Sequence, residues 1–409
     1  MAQLGSSIFD VILAHRIRLD PTTAQVAHFV RACGVARFAY NWALAEWRRQ
    51  YHSGGKPSEL ALRKQLNAIK GEQFPWMREV TKNAPQQAIK NLGRAHVNFF
   101  EDLAKYRRGE IPWKRVRAPR FKIKGRHDAF RADNGPDKRH PHAVKTAGKR
   151  VRLPVIGWVT MREEVRFAGR ILTVTISRQA DRWYASFSIE VEHRLDVRAD
   201  SCIVGVDLGV TALATLSDGT PKIRAPKPLR RYLKKLRRLS RAVSRKQRGS
   251  RNRSKAKTKL ARLHCRIANI RSDALHKLTT YLTRYRTIVI EDLGVTGMLA
   301  NRRLSRSIAD VGFFEFRRQL GYKAAIAGST VIVADRWFAS SKLCATCGAK
   351  HENLTLPERT WTCQSCGTSH DRDRNAALNL ARYAESSPAS ACGAEGSGDG
   401  HKTVVKPAA

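Results

Sequence analysis

Three short stretches, far apart in the chain, each place a carboxylate where an apolar run stops. They are Gly205-Val206-Asp207-Leu208-Gly209, Val289-Ile290-Glu291-Asp292-Leu293 and His370-Asp371-Arg372-Asp373-Arg374-Asn375-Ala376-Ala377. Each acid falls at the end of an apolar strand or the start of a helix. If the fold gathers Asp207, Glu291 and Asp373 at one point, the three cannot all stay ionised without cations. A pair of Mg²⁺ ions is the usual resolution, and it is also the machinery for in-line cleavage of a phosphodiester. The competing reading is three unrelated helix caps.

The counter-charge points the same way. The 409 residues carry 77 Lys and Arg against 34 Asp and Glu, a net charge of +43. Such self-repulsion calls for a bound polyanion. An anionic membrane is the rival, but no stretch is apolar enough to span a bilayer and no signal peptide or lipidation motif is recognised. The length allows two or more domains with real cores. Four of the eight cysteines form Cys344-x2-Cys347 and Cys363-x2-Cys366, fifteen residues apart. Two such knuckles supply four thiolates to one tetrahedral ion, so structural zinc and a reducing cytoplasm are expected. The remaining thiols, Cys33, Cys202, Cys265 and Cys392, are read as buried or incidental.

Along the chain, residues 8–19 alternate as a strand. Asp20-Pro21-Thr22-Thr23 is a helix start, and helices are expected over 24–33, 36–51, 59–69 and 85–106. From Pro112 the pattern changes to basic and apolar residues interleaved, including Arg120, Lys122 and Lys124. Strands follow at 151–153, 157–161, 171–178 and 183–190. Several short strands without helices suggest a small barrel, completed by the N-terminal strand, with the helical block inserted into it. Residues 202–217 read as a strand ending at Asp207 and its hairpin partner. Between Asp218 and Asp273 there is no carboxylate, while Leu229, Leu233, Leu236 and later Leu260, Leu263, Ile267 recur at helical spacing. This predicts two long basic helices with a loop near Gly249, a track for phosphates rather than a merely solvated face. A strand over 287–290, a loop over 297–311, a helix over 313–327, a strand over 330–334 and a last helix over 375–383 complete the reading. Residues 384–409, rich in Ser, Gly and Ala, are expected to be disordered.

Taken together, Leu19-Asp20-Pro21-Thr22, Arg37-Phe38-Ala39-Tyr40-Asn41, Pro119-Arg120-Phe121-Lys122, Gly205-Val206-Asp207-Leu208-Gly209, His276-Lys277, Tyr322-Lys323-Ala324, Ser340-Ser341-Lys342-Leu343-Cys344 and residues 370–380 resemble the TnpB (OrfB) proteins of insertion sequences. That family is related to type V CRISPR effectors, and the resemblance runs from about residue 8 to 383. It implies an α+β multidomain protein: an RNase-H-like (RuvC) nuclease domain with an inserted zinc knuckle, and a wedge β-barrel with a helical recognition insert. The implied boundaries are wedge at 1–19 and 119–198, recognition at 20–118, nuclease at 199–342 and 369–383, knuckle at 343–368 and tail at 384–409.

The activity implied is RNA-guided cleavage of double-stranded DNA, with a guide RNA transcribed from the element's own end and a short flanking DNA motif read by the protein. Asp207 and Glu291 match the first two catalytic positions. For the third, the strand alternation leaves Asp371 and Asp373 open, and the family's spacing before Asn-Ala-Ala selects Asp373. The three acids would hold two Mg²⁺ ions, with Asp207 bridging. Asp292 is expected to be a turn or capping acid. The resemblance also points to Tyr51, Lys82, Asn83 and Gln86 for the flanking motif, and to Arg120, Lys122 and Lys124 for the guide RNA. It further implies a monomeric ribonucleoprotein, cytoplasmic and nucleoid-associated in a prokaryote. Two readings stay beside it: a nuclease-independent RNA-guided DNA-binding regulator of transposition, and a miniature CRISPR effector with a repeat-derived guide.

Overall fold

The computed structural model describes residues 8–134, 143–194, 202–355 and 357–386. The chain divides into two compact units, one over Asp10–Glu192 and one from His193 onward. The tail over 387–409, with Cys392, lies outside the described residues.

In the first unit, strand β1 (Ile8–Arg18) leads into three helices, α1 (Thr23–His52), α2 (Glu59–Gln73) and α3 (Asn83–Arg107). Strands β2 (Ala129–Asp133), β3 (Lys145–Ala147), β4 (Arg150–Leu153), β5 (Gly157–Thr160), β6 (Arg170–Gln179) and β7 (Arg182–Arg194) follow. Thr22 caps α1: its hydroxyl accepts the Gln25 N–H while the Gln25 side chain accepts the Thr22 N–H. The expected break between 33 and 36 does not occur. Phe29, Ala32, Cys33, Ala36, Ala39, Tyr40 and Ala43 keep one buried face continuous through that point.

The strands form two sheets, β1-β7-β6-β2 and β3-β4-β5. Among the described residues, one β-bridge, between Leu19 and Met161, joins them. Phe29 of α1 packs on Phe130 and Trp183 at ring distances of 5.9 and 5.1 Å, which seats the helices on the larger sheet.

The second unit carries β8 (Ile203–Asp207), β9 (Ala212–Leu216), β10 (Ile223–Arg224), α4 (Pro228–Ser244), α5 (Arg251–Leu282) and β11 (Thr287–Glu291). It continues with α6 (Val295–Ala300), α7 (Ser305–Val311), α8 (Phe313–Ala327), β12 (Thr330–Ala334), β13 (Thr360–Thr362), β14 (Ser369–Asp371) and α9 (Arg372–Ser386). The sheet order is β10-β9-β8-β11-β12. Strands β8, β11 and β12 are parallel, and β9 is antiparallel to both its neighbours.

Side chains alternate across this sheet. Val204, Val206, Ile288 and Ile290 face a core shared with Leu278 of α5 and Phe316 of α8. On the other face Val289 and Ala334 pack with Leu380 and Ala384 of α9.

Residues 297–311, expected as a loop, hold α6 and α7. Neither helix has a side-chain cap at its N-terminus, which is why no start signal stands in the sequence. The last helix starts three residues earlier than expected because Asp371 caps it, its Oδ1 accepting the Arg374 N–H at 3.0 Å. The basic segment 218–273 forms α4 and α5 as expected. Asp310, buried beneath them, accepts the Leu229 and Arg230 N–H groups at 2.8 and 2.9 Å and so caps α4 from another element.

Candidate active site and metal centre

Asp207 and Glu291 end neighbouring parallel strands, with Val206 opposite Ile290 in the register. Both acids therefore emerge side by side at the carboxyl edge of the sheet. Asp373 comes from the first turn of α9. What lets α9 reach this edge is Gly205: a Cβ there would stand 2.0 Å from the Ala377 carbonyl oxygen and 2.5 Å from the Ala381 nitrogen. The helix backbone lies directly on β8, with the small residues Ala376 and Ala377 fully packed beneath it.

The electrostatics report the same convergence. Burial, then the charges of Glu291 and Asp373, push the Asp207 carboxyl up to about 8, against partial relief from Lys222 and Arg372. A cluster of acids in this state holds a proton, and a divalent cation bound among the same oxygens would replace it. The all-oxygen donor set suits a hard cation of the Mg²⁺ kind.

Lys222, just before β10, is the internal counter-charge. Its Nζ lies 2.8 Å from Asp371 Oδ1 and 2.8 Å from Asp373 Oδ2. Arg359 lies 3.6 Å from the other oxygen of Asp373. Glu291 accepts a hydrogen bond of 2.6 Å from Ser340 Oγ. Asp371 caps α9 through the Arg374 N–H and shares Lys222 with Asp373. Asp292 pairs with Arg317 and Arg336 at 2.9 and 2.5 Å. It is an ion-paired acid at the centre of a tight turn, the Leu293 N–H donating to the Glu291 carbonyl at 3.1 Å, as the turn alternative expected.

The four knuckle cysteines, Cys344, Cys347, Cys363 and Cys366, bring all their Sγ atoms within 4.8 Å of one another. Cys344 and Cys366 are 3.6 Å apart, as are Cys347 and Cys363. A tetrahedral zinc with Zn–S of ~2.3 Å needs S···S edges of about 3.8 Å, so the donor set fits that ion. Each knuckle turns through a glycine with positive φ, Gly348 at 79° and Gly367 at 71°. Trp361 and Leu354 pack beneath the thiols.

The nucleic-acid candidates divide. Helix α2 runs antiparallel to α1, since Gln50 meets Gln65 and Phe38 meets Phe74. It is also antiparallel to α3, whose Gly93 abuts Glu59. So α1 and α3 are parallel, with Trp47 stacked on His96 at 4.0 Å. Tyr51, 60% exposed, therefore sits at the opposite end of the bundle from Lys82, Asn83 and Gln86, roughly 20 Å away at ~1.5 Å per residue. Asn83 donates to the Asp133 carbonyl at 3.4 Å, and Lys82 is exposed. In the basic segment, Lys122 lies over the Tyr40 ring at 4.3 Å and its backbone is tied to Asn41. Arg120 and Lys124 are exposed. Three side chains were not legible as part of the site beforehand: Lys222, Ser340 and Arg359. Lys222 and Ser340 act through partners 149 and 49 residues away, and the Arg359 contact with Asp373 forms only once the knuckle folds back on α9.

Fold and site together define a class: a multidomain α+β protein in which a carboxylate cluster at a sheet edge adjoins a four-cysteine knuckle. Comparison with known proteins narrows this. A family model described as a probable transposase of the OrfB type of IS605 matches residues 186–302. A Cas12f1-like TNB domain matches 313–380, and a helix-turn-helix domain of the same OrfB type matches 11–56. In this chain residues 11–56 form β1 and the single helix α1 rather than two helices about a turn.

Among curated relatives, one from Streptomyces pristinaespiralis named "Putative RNA-guided DNA endonuclease" is 39% identical over 93% of this chain and 90% of its own. The InsQ protein of Escherichia coli K12, named in the same way, is 34% identical over 90% of this chain and 91% of its own. A Cas12f1 solved in complex with guide RNA and target DNA shares the fold at a TM-score of 0.50 and 13% identity, over 91% of this chain and 99% of that one. The chain belongs to the TnpB (OrfB) family.

Proposed function

We propose that this protein is an RNA-guided DNA endonuclease of an insertion sequence, cutting double-stranded DNA at a RuvC-like centre formed by Asp207, Glu291 and Asp373. The observation that carries the reading is the meeting of these three acids at the carboxyl edge of β8 and β11, where burial and mutual repulsion drive Asp207 to about 8. The strand order, three parallel strands with an antiparallel pair at one side, supports the RNase-H-like assignment for 199–342 and 369–383. Residues 343–368 are the structural zinc knuckle. The two sheets of the first unit are the wedge, over 8–19 and 119–198, and the helices between them, within 20–118, are the recognition insert.

Two Mg²⁺ ions, held by Asp207, Glu291 and Asp373, would activate a water and stabilise the leaving oxygen. Asp207, from the middle strand, reaches both neighbouring acids and is placed to be shared. Glu291 and Asp373 flank it from β11 and α9. Lys222 neutralises Asp371 and Asp373, and so limits the repulsion the cluster must bear before cations arrive. The basic surfaces of α4 and of α5 before Asp273, with Arg120 and Lys124, meet phosphates of the guide RNA. Tyr51 and the Lys82, Asn83 and Gln86 group contact DNA beside the target at two places rather than one.

All three acids are in place, which favours the nuclease over a DNA-binding regulator without cleavage. The test is to purify the protein with its co-expressed RNA and sequence that RNA. A defined species ending in sequence from beyond the gene's own element, and directing Mg²⁺-dependent cuts at matching DNA, is the expected result. A defined species carrying CRISPR repeat sequence would assign the guide to a repeat array. Degraded bulk RNA would refute guided cleavage.

A further inference from the structure

We infer that Ser340 is a positioning residue for Glu291, and that through it the zinc knuckle sets the geometry of the carboxylate centre. This rests on the nuclease reading above.

Ser340 lies in the link between β12 and the first knuckle cysteine and is only 4% exposed. Its hydroxyl donates to Glu291 Oε1 at 2.6 Å, across 49 residues of sequence. That bond occupies one side of the carboxylate and fixes the side-chain torsions. An acid held this way has less rotational freedom to lose when it takes up a cation.

Ser340 itself has little freedom. Its carbonyl accepts Asn379 Nδ2 at 2.7 Å and Asn375 Nδ2 at 3.4 Å. The Leu343 carbonyl accepts Asn375 Nδ2 at 2.6 Å and Asn379 Nδ2 at 2.7 Å. Asn375 Oδ1 in turn accepts the Ala345 N–H at 2.8 Å. Asn375 and Asn379 stand one turn apart on α9 and are 1% and 5% exposed. Two side chains thus clamp residues 340–345, which include the thiol donor Cys344, onto the helix that carries Asp373.

The chain of contacts is continuous. The knuckle ion would hold Cys344; Cys344 lies inside the clamped segment; the segment holds Glu291 through Ser340 and braces α9 below Asp373. Buried amides that lose their carbonyl partners cost free energy, so the clamp resists partial opening. A knuckle without its ion frees Cys344 and loosens both acids together. A hydroxyl serving only to fill space would have no need of a carboxylate on another element.

The test uses the full chain, freed of nucleic acid and loaded with zinc, and reads Mn²⁺ binding by electron paramagnetic resonance. Binding at the centre is the difference between the wild-type chain and Asp207→Ala. We expect Ser340→Ala to keep its zinc and its melting temperature but to bind Mn²⁺ about tenfold more weakly, in line with the usual effect of removing a ligand's hydrogen-bond partner. Ser340→Thr, which keeps the hydroxyl, should restore binding. Cys366→Ser, which removes an exposed knuckle thiol, should weaken Mn²⁺ binding as well. Unchanged Mn²⁺ affinity in Ser340→Ala, or a loss that Ser340→Thr does not reverse, overturns the positioning role. Unchanged affinity in zinc-depleted Cys366→Ser overturns the link to the knuckle. Equal Mn²⁺ binding by the wild type and Asp207→Ala would refute the metal-centre reading itself.

Discussion

At the scale of the residue, the strongest statement concerns Asp207. Its carboxyl is raised to about 8 by burial and by Glu291 and Asp373. An acid whose folded pKa lies above its unfolded value near 4 favours folding at low pH, and that contribution is lost as pH rises between the two. Asp207→Asn removes the cost. In the metal-free chain the variant should melt at the same temperature as wild type near pH 4, and several degrees higher by pH 8. Thermal melts of both proteins across that range check it, and parallel curves would contradict it.

Asp207 and Glu291 were legible as candidates because each ends an apolar run. The choice between Asp371 and Asp373 was not legible from strand alternation. It depends on where α9 starts, and Asp371 becomes its cap only once the helix is in place. Lys222 was invisible for a similar reason: its partners are 149 and 151 residues away.

At the scale of the element, the meeting of α9 with β8 decides whether there is a site. Asn-Ala-Ala and the glycine two residues before Asp207 were visible as a motif. Their complementarity is a property of the packed pair. Gly205→Ala would force its Cβ into the α9 backbone. It should cost about 3 kcal/mol or more, because the clash is with main chain rather than with a side chain that can turn away. Urea unfolding measures the loss. A neutral effect would mean that α9 does not lie on β8 as described.

Lys323 illustrates a motif residue whose role is structural. Its ammonium donates to the His276 carbonyl and to the Thr279 and Thr280 hydroxyls, and burial lowers its pKa to about 8. It ties α8 to α5. The small strands β3, β10, β13 and β14, of two or three residues, are too brief to show a period, and α6 and α7 carry no capping signal. The long basic hairpin of α4 and α5 was readable, because a run without a single acid is a signal at any length.

At the scale of the whole molecule, a chain of net charge +43 carries a self-repulsion that nucleic acid relieves. No helix among the described residues is long and apolar enough to cross a membrane. The alternation of strand and helix patterns made two kinds of unit legible. The closure of the first unit's strands was not: among the described residues they stand as two sheets, joined at a bridge between Leu19 and Met161, which no local pattern pairs.

The central claim is that one protein recognises DNA through its guide and cuts it through Asp207, Glu291 and Asp373. The most direct measurement compares wild type with Asp207→Ala, each bound to its RNA, for affinity to matched target DNA and for cleavage in Mg²⁺. The account predicts target affinity within about twofold and cleavage reduced by at least about a thousandfold, as for loss of a group acting on the reacting atoms. Cleavage that survives the substitution, or target binding lost together with it while the fold is intact, would contradict the account.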